Sequence, residues 1–238
     1  LIIYQLVGIY LGNQPFGAPD LARPANPQTR TRLLDAALGV IRAKGYAATT
    51  VDDICQAAGL SKGSFFHHFA SKDDLAVASA GHWSEVTGAL FAGSDYHRHE
   101  DPLDRLLAYV DLRRQLIRGT LPEFTCLVGT MAQEAYETSP DIRDACWASI
   151  HGHAETLVPD IQAAMDAQGI DAGWTAESLA LHTQAVIQGG FILAKASGDA
   201  RHAVEAIDHL RRYIESLFHA EGRPESASAS RSIMGASA

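Results

Sequence analysis

An all-α fold follows from two observations on this chain of 238 residues. Apolar residues recur at spacings of three and four along most of it, and no stretch of any length shows the alternation of a half-buried strand. Capping residues and glycines then divide the helical pattern into separate pieces. An apolar content of 47% is enough to fill a packed core.

Within Gln28–Lys44, Leu33, Leu34, Ala37, Leu38 and Ile41 share one helical face, and Gly45 ends the run as a left-handed C′ residue would. Thr50 followed by Asp53 has the spacing of a capping box, opening a short helix with Val51, Ile54, Cys55 and Ala58 inward until Gly59 stops it. Ser61 caps a second short helix to about His67, and Ser71 with Asp74 repeats the cap for a longer helix through Leu75, Ala76 and Trp83. Beyond Gly93, SDYHRHEDP is a polar break. The periodicity predicts helices near 101–118, 123–137, 139–168, 174–197 and 200–219.

The chain therefore divides into an extension or linker at 1–27, a compact unit at 28–75, a larger helical unit at 76–220 and a tail at 221–238. LIIYQLVGIYL is too short to cross a bilayer and lacks the basic start of a signal peptide. Followed by the Pro- and Gly-containing NQPFGAPDLARPANP, it is read as a dispensable, poorly ordered extension. The tail EGRPESASASRSIMGASA has little to bury and is expected to be disordered. Cys55, Cys126 and Cys146 form no CxxC pair and no even-numbered framework, so a reducing cytoplasm is the simplest setting, with no membrane partner.

Helix, short helix, glycine turn and short helix make a helix-turn-helix, whose second short helix enters the DNA major groove. The joint AGLS suits helices that cross steeply. Leu60, Phe65 and Phe69 fall on one side, facing Leu34, Leu38 and Ile54. The other side offers Ser61, Lys62, Ser64 and His67, which donate hydrogen bonds and carry no negative charge, and Gly63 leaves backbone open to close approach. Lys72 lies in the first turn of the next helix, where a cation and free N–H groups suit a phosphate. A net charge of −9 argues against nucleic acid when taken alone, but residues 1–75 carry +1 and the remainder −10.

The block GYAATTVDDICQAAGLSKGSFFHHFASKDDL resembles the DNA-binding region of the TetR family of transcriptional regulators. The likeness runs from about Thr29 to Leu75, with TTV, AAGLSKGS, HHF and SKDDL in the family's order and spacing. It implies an all-α homodimer with an N-terminal DNA-binding domain and a larger helical domain that binds a small-molecule effector. Carried over residue by residue, it places Thr50 on phosphate, Lys62, Gly63 and Ser64 at base edges, His67, His68 and Lys72 near the backbone, and Ser61 also within reach of phosphate. Phe66 stands where the family most often has Tyr. The missing hydroxyl would lower affinity by about 1 kcal/mol, the scale of one hydrogen bond, leaving ring contact with a thymine methyl or a sugar.

Competing chemistries are weaker. His67 and His68 are helical neighbours pointing about 100° apart, with no acid or Cys at i+3 or i+4 on the same side, so a metal site fails on geometry and packing is the plainer role of at least one, His68 in particular. The pairs His97/His99 and His151/His153 have a strand's spacing and read as solvent-facing, although Glu155 and Cys146 stand near the second. No GxSxG, HExxH, P-loop or dinucleotide fingerprint is present, so neither an enzyme nor a cofactor is expected.

In the larger unit, Cys126, Met131, Tyr136, Trp147 and His151 are candidates to line a ligand pocket completed by Phe91, Gln184, Gln188 and Phe191, with ordinary core packing as the alternative for each. Cys126 has no cation near it in sequence to activate its thiol, which favours an inert role over a redox one. Ala203, Ile207, Leu210, Ile214 and Leu217 draw one apolar seam, and Val186, Gly189, Gly190, Leu193 and Ala194 offer a small-residue face before it. Paired with their copies these would form a four-helix bundle, although the seam could equally pack within one chain. A dimer is favoured because two short recognition helices bind through linked half-sites. The expected function is a regulator, most simply a repressor, that leaves a palindromic operator in double-stranded DNA when an effector tilts the helix starting at Ser71; activation is the alternative.

Overall fold

A computed structural model of the chain describes residues 27–221, which are helices and their connections with no strand among them. The expectations for the extension and for the tail after Glu221 lie outside the described residues. The helices are α1 (Pro27–Lys44), α2 (Val51–Ala58), α3 (Lys62–His68), α4 (Lys72–Ala92), α5 (Pro102–Gln115), α6 (Leu121–Phe124), α7 (Leu127–Ala135), α8 (Pro140–Glu155), α9 (Val158–Gln168), α10 (Ala176–Ser197) and α11 (Arg201–Glu221). A 3-10 turn, Asp95–Arg98, follows α4.

The first three helices start and stop where their caps dictate. Thr50 and Asp53 form a full capping box on α2, and Gly59 closes that helix with φ 63°. The Ser61 side chain accepts the Ser64 N–H on α3, and Ser71 accepts that of Asp74 on α4. Leu33, Ile41, Ile54, Phe65 and Leu75 are fully buried, with Phe69 2% exposed, so α1 to α4 share one core in which Leu60 is half-buried. The division read at residue 75 falls inside α4, whose Leu75 and Ala76 are both buried.

Two long segments read as single helices are each interrupted. The 123–137 segment breaks at Thr125 and Cys126, whose extended backbones end α6 and open α7. The 139–168 segment breaks after Glu155 because Pro159, lacking an N–H, is tolerated only in the first turn of a new helix. These breaks allow α7 to pack on α8 and α9 on α5.

The apolar seam of α11 packs largely inside the chain. Ile207, Leu210 and Ile214 are at most 2% exposed, packed where α11 meets α10 and α5. Gly190 is also intramolecular: a Cβ there would lie 3.1 Å from the Ala206 Cβ and 3.3 Å from the Ala203 Cα, so its smallness sets the approach of α10 to α11. Val186 and Leu217 are half-buried, and Leu193 remains 57% exposed.

Two contacts tie α1 to the larger unit. Arg42, buried beneath Trp83, donates to the Leu38 and Glu123 carbonyls, bracing α1 against α6. The Glu134 carboxylate at the end of α7 accepts the Ala47 N–H at 2.7 Å. It reaches that loop across Gly45, whose φ of 87° and missing Cβ leave room. Replacing Gly190 with Val should destabilise the chain by about 1–3 kcal/mol through overpacking between α10 and α11, read as a fall in the urea midpoint at unchanged slope.

Candidate nucleic-acid interface and interior cavity

Burial of Phe65 and Phe69 fixes which side of α3 faces outward. Lys62, Gly63, Phe66 and His67 are exposed there, Phe66 by 57%, while Ser64 and His68 are half-buried. The Phe66 ring stands edge-on to Phe65 at 5.1 Å between centroids, so the buried ring props the exposed one. Lys62 is paired with Asp52 of α2 at 2.9 Å, but both are well exposed and such a pair is weak enough to open to a polyanion. Thr50 is exposed at the N-terminus of α2, its hydroxyl engaged with Asp53.

His67 and His68 stack edge to face at 5.3 Å. Burial lowers the His68 pKa, with His67 and Arg30 adding to it, as suits a ring lodged against packed neighbours. Lys72 differs from the expected free cation. Its ammonium donates to the Tyr46 and Thr49 carbonyls at 3.1 and 3.0 Å and sits 4.2 Å from the centre of the Tyr46 ring, so it ties the loop before α2 to α4. A residue that sequence reasoning missed is Arg30, an exposed cation 5.3 Å from the Phe69 ring at the C-terminal end of α3. Its position one turn into α1 gave no local signal of that neighbour.

The larger unit encloses a cavity of about 70 Å³ between α4, α5, α6, α8 and α10. Phe91, Cys126, Gln184, Gln188 and Phe191 line it. Three pocket candidates fall elsewhere: Met131 is fully buried in the core, Trp147 is 56% exposed on the outer side of α8, and His151 turns outward against Trp147 and Glu155. Tyr136 is likewise exposed, by 58%. The 3.6-residue turn explains the exchange on α8, since it brings Ser149, Ile150 and His153 to the cavity and sends Trp147 and His151 away. Trp83, Arg113 and Phe124 are further wall residues that periodicity alone did not mark.

The cavity's polar edge is a chain of hydrogen bonds. The Gln184 amide donates to the Tyr109 hydroxyl at 3.2 Å, and that hydroxyl is 2.9 Å from His153 Nε2. Burial, assisted by the Arg113 charge, pushes the His153 pKa down to about 3. Cys126 caps α7, its sulfur accepting the Gly129 N–H at 3.4 Å, and it has a cation that its sequence neighbours lack. The half-buried Lys195 reaches Thr130 Oγ1 at 2.6 Å, and burial lowers its pKa against the opposing influence of Cys126 and Glu134.

A helix-turn-helix with an outward recognition helix, resting on a helical body that encloses a cavity, defines a DNA-binding transcriptional regulator. Comparison with known proteins gives the family. Residues 33–78 match the bacterial regulatory proteins, tetR family, and residues 102–210 match the tetracyclin repressor-like C-terminal domain. The chain belongs to the TetR family of transcriptional regulators. It is 30% identical over 132 residues to the transcriptional regulator AcuR of Cereibacter sphaeroides, covering 56% of this chain and 58% of AcuR. The HTH-type transcriptional repressor KstR2 of Rhodococcus jostii is 50% identical over 46 residues, 19% of this chain and 22% of KstR2. The chain thus spans less than two thirds of the length of these curated relatives. A TetR-family regulator from Agrobacterium tumefaciens superposes with a TM-score of 0.68 at 25% identity, covering 79% of this chain and 98% of that one.

His153 makes stability depend on pH. An unfolded histidine takes a proton near pH 6.5, whereas the folded one resists until about 3, so the contribution of neutral His153 is complete above 6.5 and is lost as pH falls through that window. The loss approaches about 1.4 kcal/mol per pH unit well inside the window. Urea midpoints at pH 7 and 5 should therefore fall less for His153→Gln than for the unaltered chain.

Proposed function

We propose that the chain is a repressor that binds a palindromic operator as a homodimer and is released by a small effector occupying the cavity. The observation that carries this reading is the sharing of elements between cavity and DNA-binding head. Glu123 and Phe124 of α6 and Val128 of α7 line the cavity, and the same two helices hold α1 through Arg42 and Glu134. A ligand that displaces them acts on the head directly, as well as through α4. Release requires only that the effector favour the unbound geometry by about 1–3 kcal/mol.

At the operator, Lys62, Gly63, Ser64 and Phe66 face base edges, while Thr50, Ser61, His67, His68 and Lys72 face the backbone. The remaining proton of the Lys72 ammonium is the one offered to phosphate. The residues 28–75 act as the reading head and 76–220 as the receiving and pairing body, working in the cytoplasm. Exposed Ile192 and Leu193 on α10 and Tyr213 on α11 supply the apolar face for a second copy. Use of α11's buried seam within the chain leaves this outer face as the one suited to pairing.

Selection of bound fragments from random double-stranded DNA, followed by footprinting, tests the reading: a two-fold symmetric site supports it, and no sequence preference at low salt refutes it. Lys62→Ala should relax base choice at one position in each half-site, whereas Lys72→Ala should weaken all sequences alike, measured over a salt series. Sedimentation of Leu193→Asp should give monomers at concentrations where the unaltered chain is dimeric, with operator affinity falling accordingly.

A further inference from the structure

Arg113 stands out among the arginines of the larger unit. Its helical neighbour Arg114 is paired with Asp208 at 2.7 Å, Arg105 with Asp160 at 2.8 Å and Arg211 with Asp111 at 3.0 Å. Arg113 has no carboxylate within ion-pair distance among the described residues and lies on the cavity wall, 5.2 Å from the centre of the Phe91 ring. The carboxylate on that wall, Glu123, is already held by the Thr120 N–H and hydroxyl at 2.6 and 2.8 Å and lies near Arg42. The cavity therefore carries one guanidinium that, among the described residues, no carboxylate meets at ion-pair distance.

Beside it lies a second donor without an acceptor. The Gln184 amide donates to the Tyr109 hydroxyl, whose own proton can be given to His153 Nε2, 2.9 Å away. In that arrangement the neutral ring carries its proton on Nδ1, for which no partner is found among the described residues. Arg113 and His153 line a space whose wall also carries Trp83, Phe124 and Phe191, with Thr87, Ser149 and Gln188 among its polar residues. Planar, singly charged oxyanions match a guanidinium fork, and a single cation does not balance a phosphate.

We propose that the cavity takes a small monocarboxylate, its carboxylate on the Arg113 guanidinium and the His153 Nδ1–H and its short apolar body among Trp83, Phe124 and Phe191. A space of about 70 Å³ sets the limit on size. This assignment rests on the effector reading above and specifies its ligand.

Calorimetric titration of the full chain with propionate and butyrate, beside the neutral propionamide and butyramide and the cation choline, tests it. At least one carboxylate should bind at least about tenfold more tightly than its amide, and choline should not bind. Arg113→Gln should reduce carboxylate affinity by at least about tenfold and leave the circular dichroism spectrum unchanged. If that variant fails to fold, Arg113→Lys keeps the charge without the fork and should give intermediate affinity. Equal binding of acid and amide, binding of neither acid, or an unaffected Arg113→Gln would overturn the assignment. Adding the same compounds to the operator complex separates the two ideas. Release by butyramide or choline but by neither acid keeps the effector reading and removes the carboxylate, whereas Arg113-dependent carboxylate binding that leaves the complex intact keeps the ligand and removes the effector reading.

Discussion

The structure's reading head depends on burying two rings beneath a helix too short to persist by itself. A seven-residue helix gains too few internal hydrogen bonds to offset its ordering, so α3 exists because Phe65 and Phe69 are held in the core made by α1, α2 and α4. The same burial decides its rotation, and rotation decides which side chains meet solvent. Lys62, Phe66 and His67 are outward because the adjacent rings are inward. Caps at Ser61 and Gly59 then limit where that helix begins and how the turn before it bends.

A second constraint is the shortage of partners in the larger unit. Its core accommodates Tyr109, Gln184 and His153 by linking them to one another, and burial keeps the imidazole neutral. Arg105, Arg114 and Arg211 outside the cavity are paired with acids, whereas the cavity retains a cation resting on an aromatic ring. Polar groups left in this state make the enclosure selective, because an apolar visitor alone cannot satisfy them.

Much of the head was legible in the sequence because its signals are local: Thr50 with Asp53, Gly59, Ser61 with Ser64, and Ser71 with Asp74 each act within four residues. The body was less so. The helix break at Cys126 depends on how α7 finds its neighbours, which no window of periodicity contains, whereas the break before α9 has a local cause in Pro159. The α11 seam was correctly apolar, but its pattern is the same whether the partner is α10 or a second chain. The cavity's charged and ring polar groups, Arg113 and His153, are brought together from remote positions. Lys72 shows the converse, an exposed-looking cation whose protons are taken by carbonyls more than twenty residues away.

The short helix α7 has a further mechanical consequence. Nine residues of α-helix form a stiff rod of roughly 13 Å. One tip carries Cys126 and Val128, and the other presents Glu134 to the amide of Ala47. Pivoting such a strut cannot be absorbed along its length, so movement at the near tip reappears at the far one as a pull on the loop that sets the entry of α2. Gly45 is the clearance notch in which that tip rests, and any side chain there would collide with Glu134.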